Sequence, residues 1–558
     1  MTEAAPRRPS QWFQTHEVTN QAPPLQNYHA FATDPALREA VAREAGWGAE
    51  LLDAYGQLAG GELMAAGYEA NHHKPEFHGF DRYGNRTDEV RFHPSYHRLM
   101  SAAIEHGVHA LSWTESRAGS HVVRAALSYL HNQAEQGTSC PLTMTHACIP
   151  ALRHQPELAS TWLPGILSNK YDPANKPYFE KAGLTIGMGM TEKQGGSDVR
   201  ANTTRAVALG AGGPGGEYEL VGHKWFFSAP MCDAFLVLAY AEGGLSCFLL
   251  PRWRPDGSRN AMRVQRLKEK LGNWSNASSE VEFHGAFAWM VGEEGRGVAT
   301  ILEMVALTRL DCMIGSASLM RQALVQAIHH ANYRSAFGKR LIEQPLMQQV
   351  LADLALESEA AMVLTLRVAR AVDAAERDPK EAALARITTA IGKYWICKRA
   401  PAFANEAQEC LGGAGYVEES MMPRLYREAP LNSIWEGSGN IQCLDVLRAL
   451  AREPDSAAAL FAEIRLAADA HPVLKRECDR LQAELAEHEG LERRSRWIVE
   501  RLALLLQGSL LLRHAPRAVA DAFVDSRLDS QHGMNFGTLP DQVPLWTLIE
   551  RAWPEATR

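Results

Sequence analysis

The sequence of 558 residues has no apolar run long enough to cross a membrane. Its longest apolar stretches, 235–240 and 502–506, are far shorter than the ~18 residues that a spanning helix needs. The opening residues, MTEAAPRRPSQ, contain no apolar segment of the kind that a secretory signal requires. We therefore expect a cytoplasmic protein that makes no membrane contact.

The nine cysteines form no C-x-x-C pair, and no histidine stands near them at the spacing of a zinc site. This pattern is typical of reduced thiols rather than of a disulfide framework. The His72–His73 and His329–His330 pairs have no further ligands nearby, so no metal site is predicted. A formal net charge of -8 gives no support to a protein that is basic over its whole surface. It leaves open a local basic face that could bind nucleic acid.

Composition and periodicity divide the chain into four parts. With 46% hydrophobic and 22% charged residues the chain is globular, and its length suggests several folding units. Apolar residues at three- and four-residue spacing predict a helical domain over 1–182, and apolar–polar alternation predicts a β domain over 183–294. Long helical segments return over 295–452 and predict a bundle. Pro454 predicts a boundary before a further helical domain, 453–558.

Two glycine-rich stretches do not carry a nucleotide-binding signal. GAGGPGG at 210–216 lies between two strand-like runs and is interpreted as a hairpin loop. LGGAGY at 411–416 follows a helical segment, so it lacks the strand that a dinucleotide-binding loop requires. Its glycines at 412 and 413 are interpreted as a helix end.

Two motifs in the β domain suit a planar, phosphate-bearing ligand. MGMTEKQGGSD at 188–198 offers the hydroxyls of Thr191 and Ser197 beside glycines that let the backbone come close, although Thr191 alone could cap a turn. GHKWFFS at 222–228 sets aromatic rings beside a hydroxyl on a predicted strand. Those rings could equally be core residues of the sheet.

Two motifs in the bundle region carry charge. IWEGSGN at 434–440 places Glu436 beside Trp435, where burial would raise a carboxyl pKa and prepare a general base. Ser438 and Asn440 are natural caps of the helix that follows. RSAFGK at 334–339 offers two cations near a glycine, which suits a phosphate group or simply an exposed helix end.

These four motifs, in this order and with a β segment between helical ones, resemble the acyl-CoA dehydrogenase family over 182–450. The resemblance implies an α+β fold with an N-terminal helical domain, a central β-barrel-like domain and a four-helix bundle, which hold FAD at a subunit interface. The cofactor-binding positions that it implies are Met188, Met190, Thr191, Gly196, Ser197, Phe226, Phe227, Ser228, Arg334, Phe337, Gly412, Gly413, Ile434, Trp435, Gly437, Ser438 and Asn440.

The same resemblance implies the catalytic roles. Glu436 falls on the commonest position of the base, which removes the α-proton of an acyl-CoA thioester while the flavin takes the β-hydride. In the isovaleryl branch the base instead precedes a family arginine, which here is Arg309, a candidate for the substrate site. The residue before it is Thr308, which cannot act as a base. Phe226 stands where most relatives have tryptophan, and Ser228 where they have threonine.

The segments MTEKQGGSDVRANTTRA, LGNWSNAS and MMPRLYREAPLNSIWEGSGN, with the opening WFQTHEVTNQAPPLQNY, resemble one branch of this family, which is linked to the adaptive response to DNA alkylation. That branch implies an extra C-terminal helical domain and an FAD-bound homotetramer. It also implies binding of double-stranded DNA and a weak dehydrogenase activity on acyl-CoA such as isovaleryl-CoA. The alternative is an ordinary acyl-CoA dehydrogenase that passes electrons to an electron-transfer flavoprotein.

The C-terminal segment is not basic overall, because 456–558 holds 13 Lys and Arg against 15 Asp and Glu. DNA binding would need its cations concentrated on one face, or gathered by the symmetry of a tetramer. A solvated face with acidic neighbours is the alternative. The candidates at helical spacing are Arg448, Arg452, Arg513 and Arg517, with Arg493, Arg494 and Arg496 as a further group.

Overall fold

The structure is a computed structural model that describes residues 15–529 and 532–554. The first three letters of the opening motif, 12–14, lie outside the described residues. The N-terminal part is helical, as predicted from its periodicity. Its helices are α1 (Pro35–Ala45), α2 (Ala49–Ala59), α3 (Glu62–His72), α4 (Pro94–Glu105), α5 (Leu111–Thr114), α6 (Ser120–Ala134), α7 (Ser139–Arg153) and α8 (Pro156–Ile166).

A β-hairpin interrupts these helices and was not predicted. Strands β1 (Glu76–Phe80) and β2 (Arg86–Arg91) pair antiparallel. The Asp81 carboxylate accepts hydrogen bonds from two backbone N–H groups of the turn, and Gly84 adopts a φ of 83° there. The turn residues between two short runs were the available signal for this hairpin.

The β domain contains seven strands that close on themselves. The sheet runs β3–β6–β4–β5–β9–β7, and β7 pairs back onto β6, which makes the circuit barrel-like as expected. GAGGPGG connects β4 to β5, with three of its glycines at positive φ, which confirms the hairpin loop. The strands are β3 (Ile186–Gly189), β4 (Arg205–Ala208), β5 (Glu217–Ser228), β6 (Ala234–Ala241), β7 (Gly244–Pro251), β8 (Met262–Leu267) and β9 (Ser278–Val291).

The long helical segments form the predicted bundle. Three helices exceed 25 residues and pack on one another, and the last helix packs against the third. A short hairpin, β10 (Ser335–Ala336) and β11 (Lys339–Arg340), joins the first two. The helices are α9 (Gly297–Tyr333), α10 (Pro345–Ala374), α11 (Pro379–Glu409), α12 (Met422–Glu428) and α13 (Gly439–Arg452).

The chain beyond the bundle is helical too. Helix α13 ends at Arg452 and the next helix begins at Pro454, where the sequence predicted a break. These helices lie against the bundle, and their apolar residues join its core. They are α14 (Pro454–Arg465), α15 (Pro472–Ala486), α16 (Leu491–His514), α17 (Arg517–Arg527) and α18 (Leu545–Ala552).

Two hydrophobic cores meet near the IWEGSGN motif. One runs from the N-terminal helices through the bundle to the C-terminal helices, and the other fills the β domain and extends to α7 and the start of α9. Trp435 packs against the second core from the loop that precedes α13. Among the described residues, no helix has both the length and the apolarity to span a membrane.

Candidate active site and cofactor cradle

A buried ion pair holds the first two sequence motifs together. Lys224 on β5 lies 2.8 Å from the Glu192 carboxylate, and neither side chain is exposed. Burial tends to raise the pKa of Glu192, but the Lys224 charge and hydrogen bonds from Thr203 and Thr204 outweigh it and hold the pKa at about 2. The backbone N–H of Trp225 donates to the Thr191 carbonyl at 2.8 Å. The TEK and GHKW segments therefore form one rigid unit.

Strand alternation separates the two phenylalanines of GHKWFFS. The Phe226 ring is 53% exposed, with the Lys268 ammonium 4.5 Å from its centre. The Phe227 ring is fully buried, 4.3 Å from the ring of Phe235. Because the pleat turns the Phe227 ring into the core of the sheet, the cofactor contact predicted for this residue would be made by its backbone. Phe226 faces outward as the prediction requires.

The Cys140 thiol on α7 lies near both the end of β5 and the Glu436 carboxylate. Burial raises the pKa of Cys140 to about 11, with the nearby charge of Lys270 and a hydrogen bond with Ser228 opposing the rise and the charge of Glu436 adding to it. The Ser228 hydroxyl also lies 3.3 Å from that of Ser278. Strand β5, helix α7 and the IWEGSGN loop thus converge on one place.

The loop that carries Glu436 has a strained backbone. Glu436 has a φ of 57° and Gly437 a φ of 93°, a conformation that is rare for a residue with a side chain. The Glu436 carbonyl accepts hydrogen bonds from Arg309 Nε and Gln442 Nε2, both at 3.1 Å. The ammonium of Lys393 donates to three carbonyls of this loop at 2.7–3.1 Å. These contacts fix the direction of the Glu436 side chain.

The Glu436 side chain is half-buried, and its carboxylate accepts a hydrogen bond from Thr308 Oγ1 at 2.7 Å. Burial raises the pKa of Glu436, while the Thr308 hydrogen bond and the charges of Lys393 and Arg309 oppose the rise. A half-buried carboxyl with a raised pKa and a fixed direction is suited to accept a proton. Arg309 also bonds Asp445 at 2.9 Å, so it holds the loop beside the base.

The other residues of this motif lie around the start of α13. Ser438 is the N-cap, but its side chain makes no capping hydrogen bond. The Asn440 side-chain oxygen accepts a hydrogen bond at 2.8 Å from Arg496 of α16, a contact that the sequence did not reveal. The Ile434 side chain is 63% exposed. The indole N–H of Trp435 donates to Asn432 at 2.9 Å.

The Arg334–Lys339 segment presents a fully exposed aromatic ring. Phe337 and Gly338 form a two-residue turn with φ values of 51° and 78°, between β10 and β11. The Phe337 ring is 100% exposed. Asn20 holds the base of the hairpin, since its amide exchanges two hydrogen bonds with the Ser335 backbone, and Arg334 donates to its carbonyl.

This hairpin lies far from Glu436 within one chain. Thr308 contacts Glu436, and helix α9 continues from there to Tyr333 before the hairpin begins. At 1.5 Å per residue, those 25 residues span about 38 Å. Arg334 and Phe337 therefore cannot share a small site with Glu436 in the same chain.

The predicted glycine turn follows α11 and lies at the surface. Gly412 has a φ of 59°, and, chain neighbours aside, no atom of the described residues lies within 4 Å of a side-chain carbon built on Gly412 or Gly413. Tyr416, directly after this turn, is 84% exposed. The turn ends the helix, as the sequence indicated, and leaves its surface open.

The arginines of the predicted DNA face differ in how far they are already paired. Arg452 is exposed, and no ion pair to it is found among the described residues. Arg448 is 60% exposed and lies 3.7 Å from Asp445. Arg517 is exposed but bonds Asp521 at 2.7 Å.

The prediction that Arg513 contacts DNA is corrected. Its guanidinium is largely buried and bonds the Glu463 carboxylate at 2.6 Å, so its charge is neutralised inside the protein. Arg494 is paired in the same manner with Glu484 at 2.8 Å. Arg493 and Arg496 are exposed.

Family models match three consecutive parts of the chain. The model of the adaptive response protein AidB N-terminal domain matches 20–173, that of the acyl-CoA dehydrogenase middle domain matches 187–286, and that of the acyl-CoA dehydrogenase C-terminal domain matches 295–451. Fold and site together therefore define an acyl-CoA dehydrogenase, an oxidoreductase.

Comparison with three similar proteins assigns the chain to one branch of this class. AidB of Escherichia coli (strain K12) is 49% identical over 529 residues, which are 94% of this chain and 96% of AidB. The structure of Bd2924 in its apo form is 30% identical with a TM-score of 0.80, covering 90% of this chain and 99% of that one. The complex of Caenorhabditis elegans ACDH-11 with C11-CoA is 26% identical with a TM-score of 0.84, covering 98% and 94%. The chain belongs to the AidB branch of the acyl-CoA dehydrogenase family.

FAD is the cofactor of this family, and the surface of the chain fits it. Four of the five predicted FAD elements expose a large apolar side chain within the element or directly beside it, at Phe226, Phe337, Tyr416 and Ile434. Exposed rings and aliphatic groups of this size are commonly covered by a ligand or a partner. A side-chain carbon on Gly196 would lie 2.6 Å from Thr191 Oγ1, so only glycine lets this backbone approach the hydroxyl.

Proposed function

We propose that Glu436 is the base of an acyl-CoA desaturation at this site. The observation that carries the proposal is the position of its half-buried carboxylate, whose direction Thr308 and the loop contacts fix while partial burial raises its pKa. The carboxylate removes the proton from the carbon next to the thioester carbonyl, and the C–H electron pair enters the new C=C bond as hydride leaves the β-carbon. FAD, when bound, supplies the two-electron acceptor for that hydride.

The surrounding residues orient the base and exclude water. Lys393 and Arg309 hold the carbonyls of the loop, so the Glu436 side chain cannot turn away. The β-domain core closes over the same place through Trp435 and Cys140. A dry site strengthens the attraction between the donors of the protein and the charge that develops on the thioester oxygen.

An anaerobic titration tests this function. The purified holoenzyme is mixed with isovaleryl-CoA and with straight-chain acyl-CoAs up to C11-CoA, the ligand held by the C. elegans relative, while flavin absorbance is followed. Bleaching by one thioester, lost in Glu436→Gln, supports the proposal. If every chain length leaves the flavin oxidised, the desaturation proposal is wrong. The alternative, in which electrons pass to an electron-transfer flavoprotein, is then wrong as well.

We also propose that the chain binds double-stranded DNA and acts in the response to DNA alkylation damage, as its branch implies. The supporting observation is that α13 and α16 adjoin, since Arg496 bonds Asn440, and that both helices carry exposed arginines. Arg452 and Arg493 contribute charges that no described acidic group neutralises. In electrostatic binding of this kind, the logarithm of the binding constant falls linearly with the logarithm of the salt concentration.

We propose, finally, that Arg334 and Phe337 complete the FAD site of a neighbouring subunit in a homotetramer. The proposal is supported by the ~38 Å that separate this hairpin from the base and by the complete exposure of the Phe337 ring. Sedimentation of the holoenzyme against the FAD-stripped protein tests it. A monomer that retains FAD would contradict it.

A further inference from the structure

A surface cleft whose lining does not include Glu436 is separate from the site of the base. It lies between α3, the turn that connects β8 to β9, and α12, and is partly open to solvent. Its mouth is at the exposed His72 and Glu418. The residues that line it are Tyr68, Asn71, His72, Trp274, Glu418, Ser420, Arg424 and Arg427.

Arg424 forms the floor of this cleft and is only partly bonded. Its side chain is 7% exposed, and Nη2 donates to the Ala134 carbonyl at 2.9 Å. Among the described residues, Nε and Nη1 of Arg424 have no hydrogen-bond partner. The Tyr68 ring lies 5.4 Å from the guanidinium. Buried donors without partners are costly and rare in native proteins, so these two nitrogens require an acceptor.

The charges that line the cleft favour an anion. Arg427 bonds the Glu418 carboxylate through both of its terminal nitrogens, which neutralises that pair. Among the described residues Arg424 makes no ion pair, although the charges of Glu135 and Glu428 act on it. The Lys74 ammonium lies 3.8 Å from the centre of the Trp274 ring and adds positive potential at the rim.

The buried Glu135 carboxylate lies near Asn71 and Arg424 of this cleft. Glu135 accepts hydrogen bonds from Asn71 at 3.0 Å and from Ser275 at 2.7 Å. Burial tends to raise the pKa of Glu135, but its hydrogen bonds and the Arg424 charge lower it below the usual value. The lining of the cleft does not include Glu436, and the cleft is entered from the surface.

We propose that this cleft binds a small oxyanion, a carboxylate or phosphate group, on Nε and Nη1 of Arg424. The oxyanion accepts hydrogen bonds from both unused donors of this guanidinium. The amide of Asn71 and the imidazole of His72 lie on its path from the surface. Since the cleft does not include Glu436, anion binding does not depend on the proposed dehydrogenase function.

Calorimetric titration of the holoenzyme with inorganic phosphate and, separately, with acetate at constant ionic strength tests this site. We expect saturable binding of at least one anion. The anion that binds more tightly shows whether the site prefers a phosphate or a carboxylate group. Arg424→Lys keeps a positive charge beside Glu135 but removes the guanidinium donors, so binding weakens at least ten-fold with flavin absorbance unchanged. The matched control, Arg82→Lys at an exposed position, leaves binding unchanged.

A second variant keeps the test decisive if Arg424→Lys does not fold. Ser420→Asp places a carboxylate on the wall of the cleft without altering Arg424, and it should weaken anion binding by repulsion. Glu436→Gln should bind the anion like the wild type. Absence of saturable binding by both anions would overturn the proposal, as would wild-type affinity in Arg424→Lys or in Ser420→Asp.

Discussion

The Thr308 hydroxyl donates to the Glu436 carboxylate at 2.7 Å and also lies 3.1 Å from the Val305 carbonyl. It can therefore serve both protonation states of Glu436. An ionised Glu436 accepts the hydroxyl proton, whereas a protonated Glu436 donates to Thr308 Oγ1, whose own proton then turns to Val305. Thr308, at the position of the base in the isovaleryl branch, thus fixes the Glu436 carboxylate in this chain.

Thr308→Val should move the pH dependence of flavin reduction to higher pH. The hydroxyl stabilises the ionised carboxylate, so its removal raises the pKa of Glu436 further. Because only the ionised form accepts the proton, the rate rises with pH through this pKa, and the rise shifts upward in the variant. The measurement is the rate of flavin bleaching as a function of pH. Thr300→Val, on the same helix, is the control, and identical profiles for Thr308→Val and wild type would contradict the role.

Glu436→Gln should lower the rate of flavin reduction by about 10²–10⁴-fold, since an amide cannot accept the α-proton. Binding of FAD should be unchanged, because the amide can still accept the Thr308 hydrogen bond. Stopped-flow absorbance measures the rate, and Glu419→Gln, an exposed glutamate, is the matched control. Reduction at wild-type speed in Glu436→Gln would place the base elsewhere.

Periodicity and motif order predicted the architecture because helices and strands repeat their apolar residues locally. GHKWFFS was correctly placed on a strand, and strand alternation then decided which of its two phenylalanines faces outward. Pairing across the chain is what the sequence did not show. Arg513 had the spacing of a surface residue but meets Glu463, 50 residues away, and the two unused donors of Arg424 become visible only when its neighbours are known.

Lys224→Met should destabilise the β domain by about 3–5 kcal/mol, because it leaves the Glu192 carboxylate buried without its cation. Urea denaturation of the holoenzyme measures the loss. The double variant Glu192→Gln/Lys224→Met should cost less than the sum of the two single variants, since both charges leave together. Additive losses would show that the two side chains do not stabilise each other.

Phe337→Asn should weaken assembly and FAD retention without destabilising the folded chain. The ring is fully exposed, so its removal costs no packing within the chain, and asparagine tolerates a φ of 51° better than phenylalanine. Sedimentation and the ratio of flavin to protein absorbance are the measurements. Tyr83→Asn, at another exposed aromatic residue, is the control. Unchanged assembly and full FAD content in Phe337→Asn would remove this residue from the subunit interface.

Arg452→Glu should weaken binding of duplex DNA and flatten its salt dependence, whereas Arg517→Glu should do so much less. Both arginines are exposed, but Asp521 already neutralises Arg517, so only Arg452 presents an unshared cation to a phosphate. Removing one cation that binds a phosphate should reduce the slope of log affinity against log salt by about 0.9. Fluorescence anisotropy of a labelled duplex measures both quantities, and flavin absorbance confirms that FAD is retained. Equal effects in the two variants would indicate a general effect of net charge. An affinity for DNA that does not change with salt concentration would exclude an electrostatic DNA-binding face.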